Sequence, residues 1–501
     1  MLNQNTCKYQ TKYINLETKR VEEFKCEESA RNARGYCPFH GVIYPIMTEE
    51  EGMRGMIIDK INRWFSEEEY KRKPLKFIGY NIPGMDLSEY FTEDIYFCKS
   101  IFRGPVSFNN VTFQRVDFSD VVFQSAYFDN VTFSKMATFE CITSGKLEFI
   151  VCRFKTGARF REANIEEIEV IGGQFGMEDN ADKRRIECDF QFARLKRTTF
   201  RNVKFYTVTT FGDTEFGEAI FSNRTEFFNQ ADFSNSRFLG IGNFLDVKFN
   251  GTTNFHHVIF QDQECVLFDV NSLSEVSFIG SDIMRVRFGE RVVWREDESN
   301  KFIIRDQIDL IECINPIFTW EKVPSDPKHE KNLRCFLKKR LRLNWVTQDS
   351  RIEKSNHVAI TITSSKTNDD SKISIVLREK TALISLDNNN NKFAVKRKNN
   401  EINIYSYVGF RLNAVLAIYR NLRENYEYRL RYEEAAEFFV REMELKRKYK
   451  EKYTGDIYEV QGKHPLSKAF SLLGIYQWLS NMVKVISAQH YLLPYWSLLL
   501  Q

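Results

Sequence analysis

The chain has 501 residues, a length that suggests about three domains. A hydrophobic share of 43% supports a buried core, and a net charge of +4 is too mild for a nucleic-acid footprint or an acidic DNA mimic. Its 44 Phe, against 10 Pro and 6 Trp, imply one structural slot that asks repeatedly for the same side chain.

The N-terminal stretch through Tyr13 has no apolar run of the secretory kind, and the ten Cys follow no disulfide spacing. Both point to a reducing, cytoplasmic setting. Within residues 1–47, Cys7, Cys26, Cys37 and His40 form a C-x18-C-x10-C-x2-H pattern. Zinc takes four soft or borderline donors at tetrahedral positions, and a tight turn over Gly35-Tyr36-Cys37-Pro38-Phe39-His40 would aim Cys37 and His40 at one point. With four protein ligands such a site is expected to be closed and structural rather than catalytic. The competing reading is unrelated buried thiols and a surface histidine. The G-Y-C-x-F-H segment is similar to small zinc-binding motifs found ahead of repeat domains in archaeal and bacterial proteins, which implies zinc as a structural cofactor; the first spacing of 18 residues is longer than theirs.

Thr48-Glu49-Glu50-Glu51 reads as a capping box. It opens a helix over 48–72, with Met53, Ile57, Ile61 and Trp64/Phe65 on one stripe; residues 48–74 are assigned as a helical cap on the repeat region that begins at 75. From Phe108 the sequence repeats every five residues: Phe108, Phe113, Phe118, Phe123, Phe128, Phe133. Two positions before each stands a small or β-branched residue: Val106, Val111, Val116, Val121, Ala126, Val131. The pattern slips and resumes at Phe190, Leu195, Phe200 and Phe205, then at Phe211, Phe216 and Phe221, at Phe228, Phe233 and Phe238, and at Phe249, Phe255 and Phe260. Weaker matches extend it from Phe77, Ile82 and Leu87 to Phe278, Ile283 and Phe288. A period of five fits neither a helix nor a flat strand. It fits a four-sided coil in which the bulky residue and the small one before it share the inner face.

Val111-Thr112-Phe113-Gln114-Arg115, Ala126-Tyr127-Phe128-Asp129-Asn130, Ala219-Ile220-Phe221-Ser222-Asn223 and Ala231-Asp232-Phe233-Ser234-Asn235 resemble the pentapeptide-repeat pattern A-(D/N)-(L/F)-X-X. The resemblance covers 75–292 and implies a mainly β fold, a right-handed quadrilateral β-helix, here of about ten or eleven coils and ~50 Å long. Phe replaces the Leu, and Val the Ala, of many members, which implies a wider core and some irregular coils. A Phe-rich β-sandwich is the alternative, against which six consecutive matches at one period argue. Glu166–Asn180 and Ala181–Ile186, the latter with Lys183-Arg184-Arg185, are expected as bulges or loops.

Residues 293–407 read as an α+β unit: a basic helix over Asn332–Val346, then strands over Val358–Thr363, Lys372–Leu377, Ala382–Leu386, Phe393–Lys398 and Ile402–Tyr407 in a small antiparallel sheet. In 408–464, Leu412, Val415, Tyr419, Leu422 and Tyr426 mark one helix. Glu433–Lys448 forms a second, with Ala436, Phe439 and Met443 inward and Glu442 paired to Lys446. The pair looks like a helical hairpin of tetratricopeptide type, similar to one that follows the solenoid in some membrane-linked pentapeptide-repeat proteins. Residues 465–501 form an apolar tail. Its stretch 469–501 is expected either to contact a membrane, with Tyr476, Trp478, Tyr491, Tyr495 and Trp496 at the interface, or to pack on the rest of the chain.

Phosphate loops, H-E-x-x-H and G-x-S-x-G are not found, and His256-His257 alone makes no reaction centre. The sequence therefore points to a non-enzymatic scaffold or protein-interaction protein, cytoplasmic and docked at a membrane face, with nucleic acid not expected as a partner. The runner-up is a membrane protein whose repeat domain regulates a transmembrane element. DNA mimicry towards topoisomerases, which acidic members of the family perform, ranks below both. The protein partner and the oligomeric state are not legible.

Overall fold

The computed structural model describes residues 6–30, 35–41, 47–66, 74–88, 94–177, 187–294, 303–314, 318–321, 351–355, 359–363, 372–376, 381–385, 392–398, 401–407, 412–454 and 457–463. Two compact units result: 1–304 with 421–436, and 305–420 with 437–501.

In the first unit the chain winds from Leu75 to Phe288 as a parallel β-solenoid. Each strand pairs with those one coil before and after it. A ten-stranded sheet runs from Leu75–Lys76 to Val276–Ser277, and a seven-stranded sheet from Thr112–Phe113 to Lys248–Phe249. A thirteen-stranded sheet supplies two sides of each coil, because strands such as Glu215–Ser222 place both Phe216 and Phe221 inside. In-register pairing puts like on like: Phe128 faces Phe108 and Phe149 across its two ladders.

The inward rings stack along the axis. On the ten-stranded side the column Phe77, Phe97, Phe118, Phe139, Phe160, Phe190, Phe211, Phe233, Phe255, Phe278 is unbroken, with successive centroids 4.6–5.4 Å apart. A second column runs on the seven-stranded side from Phe113 through Phe133, Phe154, Phe175, Phe205 and Phe227 to Phe249. Such pairs contribute ~0.5–1.5 kcal/mol each beyond burial. Two small slots hold threonines whose hydroxyls donate to a corner carbonyl one coil back: Thr214 Oγ1 to Phe190 O at 2.6 Å and Thr225 Oγ1 to Phe200 O at 3.1 Å.

Three expectations are corrected here. The slips come from corners that hold a residue beyond the repeat, as between Phe133 and Phe139 or Phe221 and Phe227; hence Phe227, not Phe228, points inward. Glu166–Ile171 is no loop but part of strand Asn164–Ile171, whose Ile165, Ile168 and Val170 occupy core slots elsewhere taken by Phe, Leu or Ala. In helix Tyr432–Lys448 the buried residues are Ala435, Phe438, Glu442 and Leu445, one position off the expected set, and Ala436 is exposed. The charged Glu442 hides this stripe from a hydrophobicity reading. It is held by Lys446 at 2.5 Å and Arg420 at 3.5 Å.

Exposed coil edges need covers. Helix Met47–Ser66 buries Met53, Ile57, Ile61 and Trp64, and Tyr13 and Leu16 pack on Ile78, Tyr96 and Cys98 of the first coils. At the other end Trp294 lies against Phe278 and Phe288. There the Asn425 amide donates to the carbonyls of Ile283, Met284 and Val286 at 2.7–3.0 Å.

The second unit has helix Arg305–Ile314, a four-stranded sheet that includes Lys392–Lys398 and Glu401–Tyr407, and a three-stranded antiparallel sheet of Arg351–Ser355, Ala359–Thr363 and Lys372–Val376. Helix Leu412–Tyr428 buries Leu412, Val415, Tyr419, Leu422 and Tyr426, as its spacing implies. The expected helix over Asn332–Val346, the basic loop 181–186 and the tail 465–501 lie outside the described residues. No described helix is long and apolar enough to cross a membrane.

Candidate metal centre

An antiparallel hairpin of Gln10–Ile14 and Val21–Lys25 accounts for the long first spacing in the Cys/His pattern. It brings Cys7, just before its first strand, alongside Cys26, just after its second: Cys7 N donates to Glu28 O at 2.9 Å and Cys26 N to Tyr9 O at 3.0 Å. The second half of the site is a tight turn. His40 N and Gly41 N both donate to Cys37 O, and Lys8 N ties the turn to the hairpin through Gly35 O. Gly35 sits at φ +83°, a left-handed conformation that calls for glycine.

These two pieces converge. The donor atoms of Cys7, Cys26, Cys37 and His40 all lie within 4.8 Å of one another, and all four residues are buried. Cys26 Sγ is 3.8 Å from Cys37 Sγ, and His40 Nδ1 is 3.6 Å from Cys7 Sγ and 3.1 Å from Cys37 Sγ. A disulfide would bring sulfurs to ~2.05 Å, whereas zinc bonds of ~2.3 Å to sulfur and ~2.0 Å to nitrogen in a tetrahedron separate S from S by ~3.8 Å and S from N by ~3.5 Å. The donor set and spacing therefore fit a closed four-ligand site. Hydrogen bonding from Cys37 draws the Cys26 thiol down to about 4, burial opposing, while the same contact holds Cys37 above its ordinary range.

Sequence reasoning found the four donors and missed their setting. The His40 ring stacks on Tyr9 at 3.9 Å and meets the edge of Tyr80 at 5.0 Å. Its Nε2 donates to Ile78 O at 3.1 Å. Lys60, from the capping helix, bridges Glu28 at 3.0 Å and Tyr80 Oη at 2.7 Å. No spacing rule selects a tyrosine or a backbone carbonyl. The other described cysteines, Cys98, Cys141, Cys152, Cys188 and Cys265, are not part of the cluster.

A family model described as pentapeptide repeats (nine copies) matches residues 97–140. The coils over 97–140 carry pentapeptide repeats. No curated protein and no solved structure matches the chain. The solenoid adjoins the Cys/His cluster through Ile78 and Tyr80 at its first corner.

Proposed function

We propose that this chain is a non-enzymatic scaffold whose pentapeptide solenoid presents outer faces to a protein partner, with a structural zinc ion held by Cys7, Cys26, Cys37 and His40 closing its first coil. The unbroken ring column from Phe77 to Phe278 carries this reading. Packed rings occupy the interior slots where a substrate cavity would otherwise form, so recognition falls to the outside. Bound zinc would supply no reaction step here, because four protein ligands fill its coordination shell. Its contribution is to fix the hairpin and the Cys37–His40 turn on the coil edge. The division into 1–47, 48–74, 75–292, 293–407, 408–464 and 465–501 belongs to the same reading.

Cross-linking of the full chain in cells, followed by identification of the cross-linked residues, tests it. Contacts should concentrate on outward residues of 97–288. Cross-links confined to 305–501 would overturn the scaffold role of the solenoid. Docking at a membrane face rests on the composition of 469–501 alone; a chain ending at Lys463 should move from the membrane to the soluble fraction, and an unchanged distribution removes that part of the proposal.

A further inference from the structure

The seven-stranded side differs from the others in its outward residues. One outward row reads Thr112, Thr132, Arg153, Gln174, Lys204, Glu226, Lys248, each in register with the next. The row beside it is fixed by backbone bonds between coils: Lys155 N to Phe133 O, Gly176 N to Phe154 O, Tyr206 N to Phe175 O and Phe228 N to Phe205 O. Arg153, Lys155, Lys204 and Lys248 give these two rows four cations, against the carboxylate of Glu226, which pairs with Lys248 at 3.9 Å. That carboxylate already accepts from Asn250 Nδ2 at 2.7 Å.

Two aromatic rings interrupt the cationic rows. Tyr206 and Phe228 stack at 4.4 Å on the outer surface, a consequence of the corner that turns Phe227 inward and leaves Phe228 outside. The rung before Tyr206 is Gly176, at φ +84°, where any Cβ would come within 2.9 Å of Thr207 Cγ2. This rung therefore has no side chain, and the one before it is Lys155. At ~4.8 Å per rung, an aromatic ring placed on the missing rung would stand at stacking distance from Tyr206.

We propose that the seven-stranded side is a docking strip for an acidic peptide segment bearing one aromatic residue. Its ring takes the rung left by Gly176, and its carboxylates lie over Arg153 and Lys204. This deepens the scaffold reading and rests on it. A single stacked pair, with a chain charge of +4 and pI near 8.3, suits a peptide better than a nucleic-acid strand, which needs successive stacking platforms and a stronger basic field.

The test uses the full chain and fluorescence anisotropy with a labelled peptide of Asp and Glu around one Trp. A second peptide carries Ala for that Trp, and an oligothymidine serves as competitor. Binding should weaken about tenfold or more in Lys204→Glu and in Tyr206→Ser, and removing the peptide's Trp should cost little further in Tyr206→Ser, since both changes delete one contact. Circular dichroism melts confirm that the variants fold. Absence of saturable binding, indifference to both substitutions, or tighter binding of oligothymidine would each overturn the proposal. A Lys204→Glu chain that keeps its cellular solenoid cross-links would do so too, while leaving the scaffold reading intact.

Discussion

His40 Nε2 lies 3.1 Å from the carbonyl oxygen of Ile78, and His40 Nδ1 lies 3.1 Å from Cys37 Sγ. A carbonyl only accepts, so Nε2 carries the proton and Nδ1 keeps its lone pair facing the thiols. This is the arrangement in which a second partner fixes the tautomer and orientation of a metal-binding imidazole. Here that partner is the backbone of the first coil, so a metal bound at the cluster would also hold the coil edge.

Metal analysis of the purified chain should accordingly find about one zinc per chain, and Cys37→Ser should abolish it. Chelation at neutral pH should lower the melting temperature and strip hydrogen-exchange protection from Phe77–Asn81 before the central coils. A metal-free chain with unchanged melting would remove zinc from the account.

Phe128 stacks on Phe108 and on Phe149, each at 4.9 Å, and is 1% exposed. Phe128→Ala should cost ~3–5 kcal/mol, the range for a buried ring that leaves a cavity. Urea unfolding monitored by circular dichroism measures it. A cost below ~1 kcal/mol would mean that the column does not bear on stability.

Val151 is exposed and sits at φ 51°, in a corner where neighbouring coils place Asn110, Asn130, Gly172 and Asn202. A β-branched residue is poorly suited to left-handed backbone, which asparagine tolerates. Val151→Asn should raise stability by ~1 kcal/mol in the same assay. Unaltered or lowered stability would show that the valine packs more than its exposure implies.

Burial lowers His256 to about 4, and its Nε2 pairs with Ser277 Oγ at 2.7 Å. An unfolded chain takes up this proton near pH 6.5, the folded chain only near 4. The stability that neutral His256 supports is therefore present above pH 6.5 and lost as pH falls towards 4. By pH ~5 the loss should reach about 2 kcal/mol. His256→Gln should remove that share of the pH slope, seen by urea unfolding at neutral and acid pH; parallel slopes would refute it.

Much of this fold was legible because a ring column demands the same residue at the same rung, and a period of five is unlike any other regular structure. The misreadings have physical causes. Corners tolerate an added residue without disturbing the sheets, so the count slipped at Phe227 and Phe228. Ile165, Ile168 and Val170 fill core slots as well as rings do, so strand Asn164–Ile171 looked like a gap. The convergence of Cys7, Cys26, Cys37 and His40 could be read from residue type and turn chemistry. Their ring of Tyr9, Tyr80 and the Ile78 carbonyl could not, since it is assembled by the hairpin and the first coil rather than by spacing.

The three carbonyls covered by the Asn425 amide give the ladder a direction. With zinc bound as proposed, one terminus would be closed by a group that acid, oxidant or a chelator can withdraw, the other by a carboxamide indifferent to all three. Under such stress unzipping should begin at Phe77 and advance towards Phe278, much as a zip fastener with one stop removed opens from that stop alone.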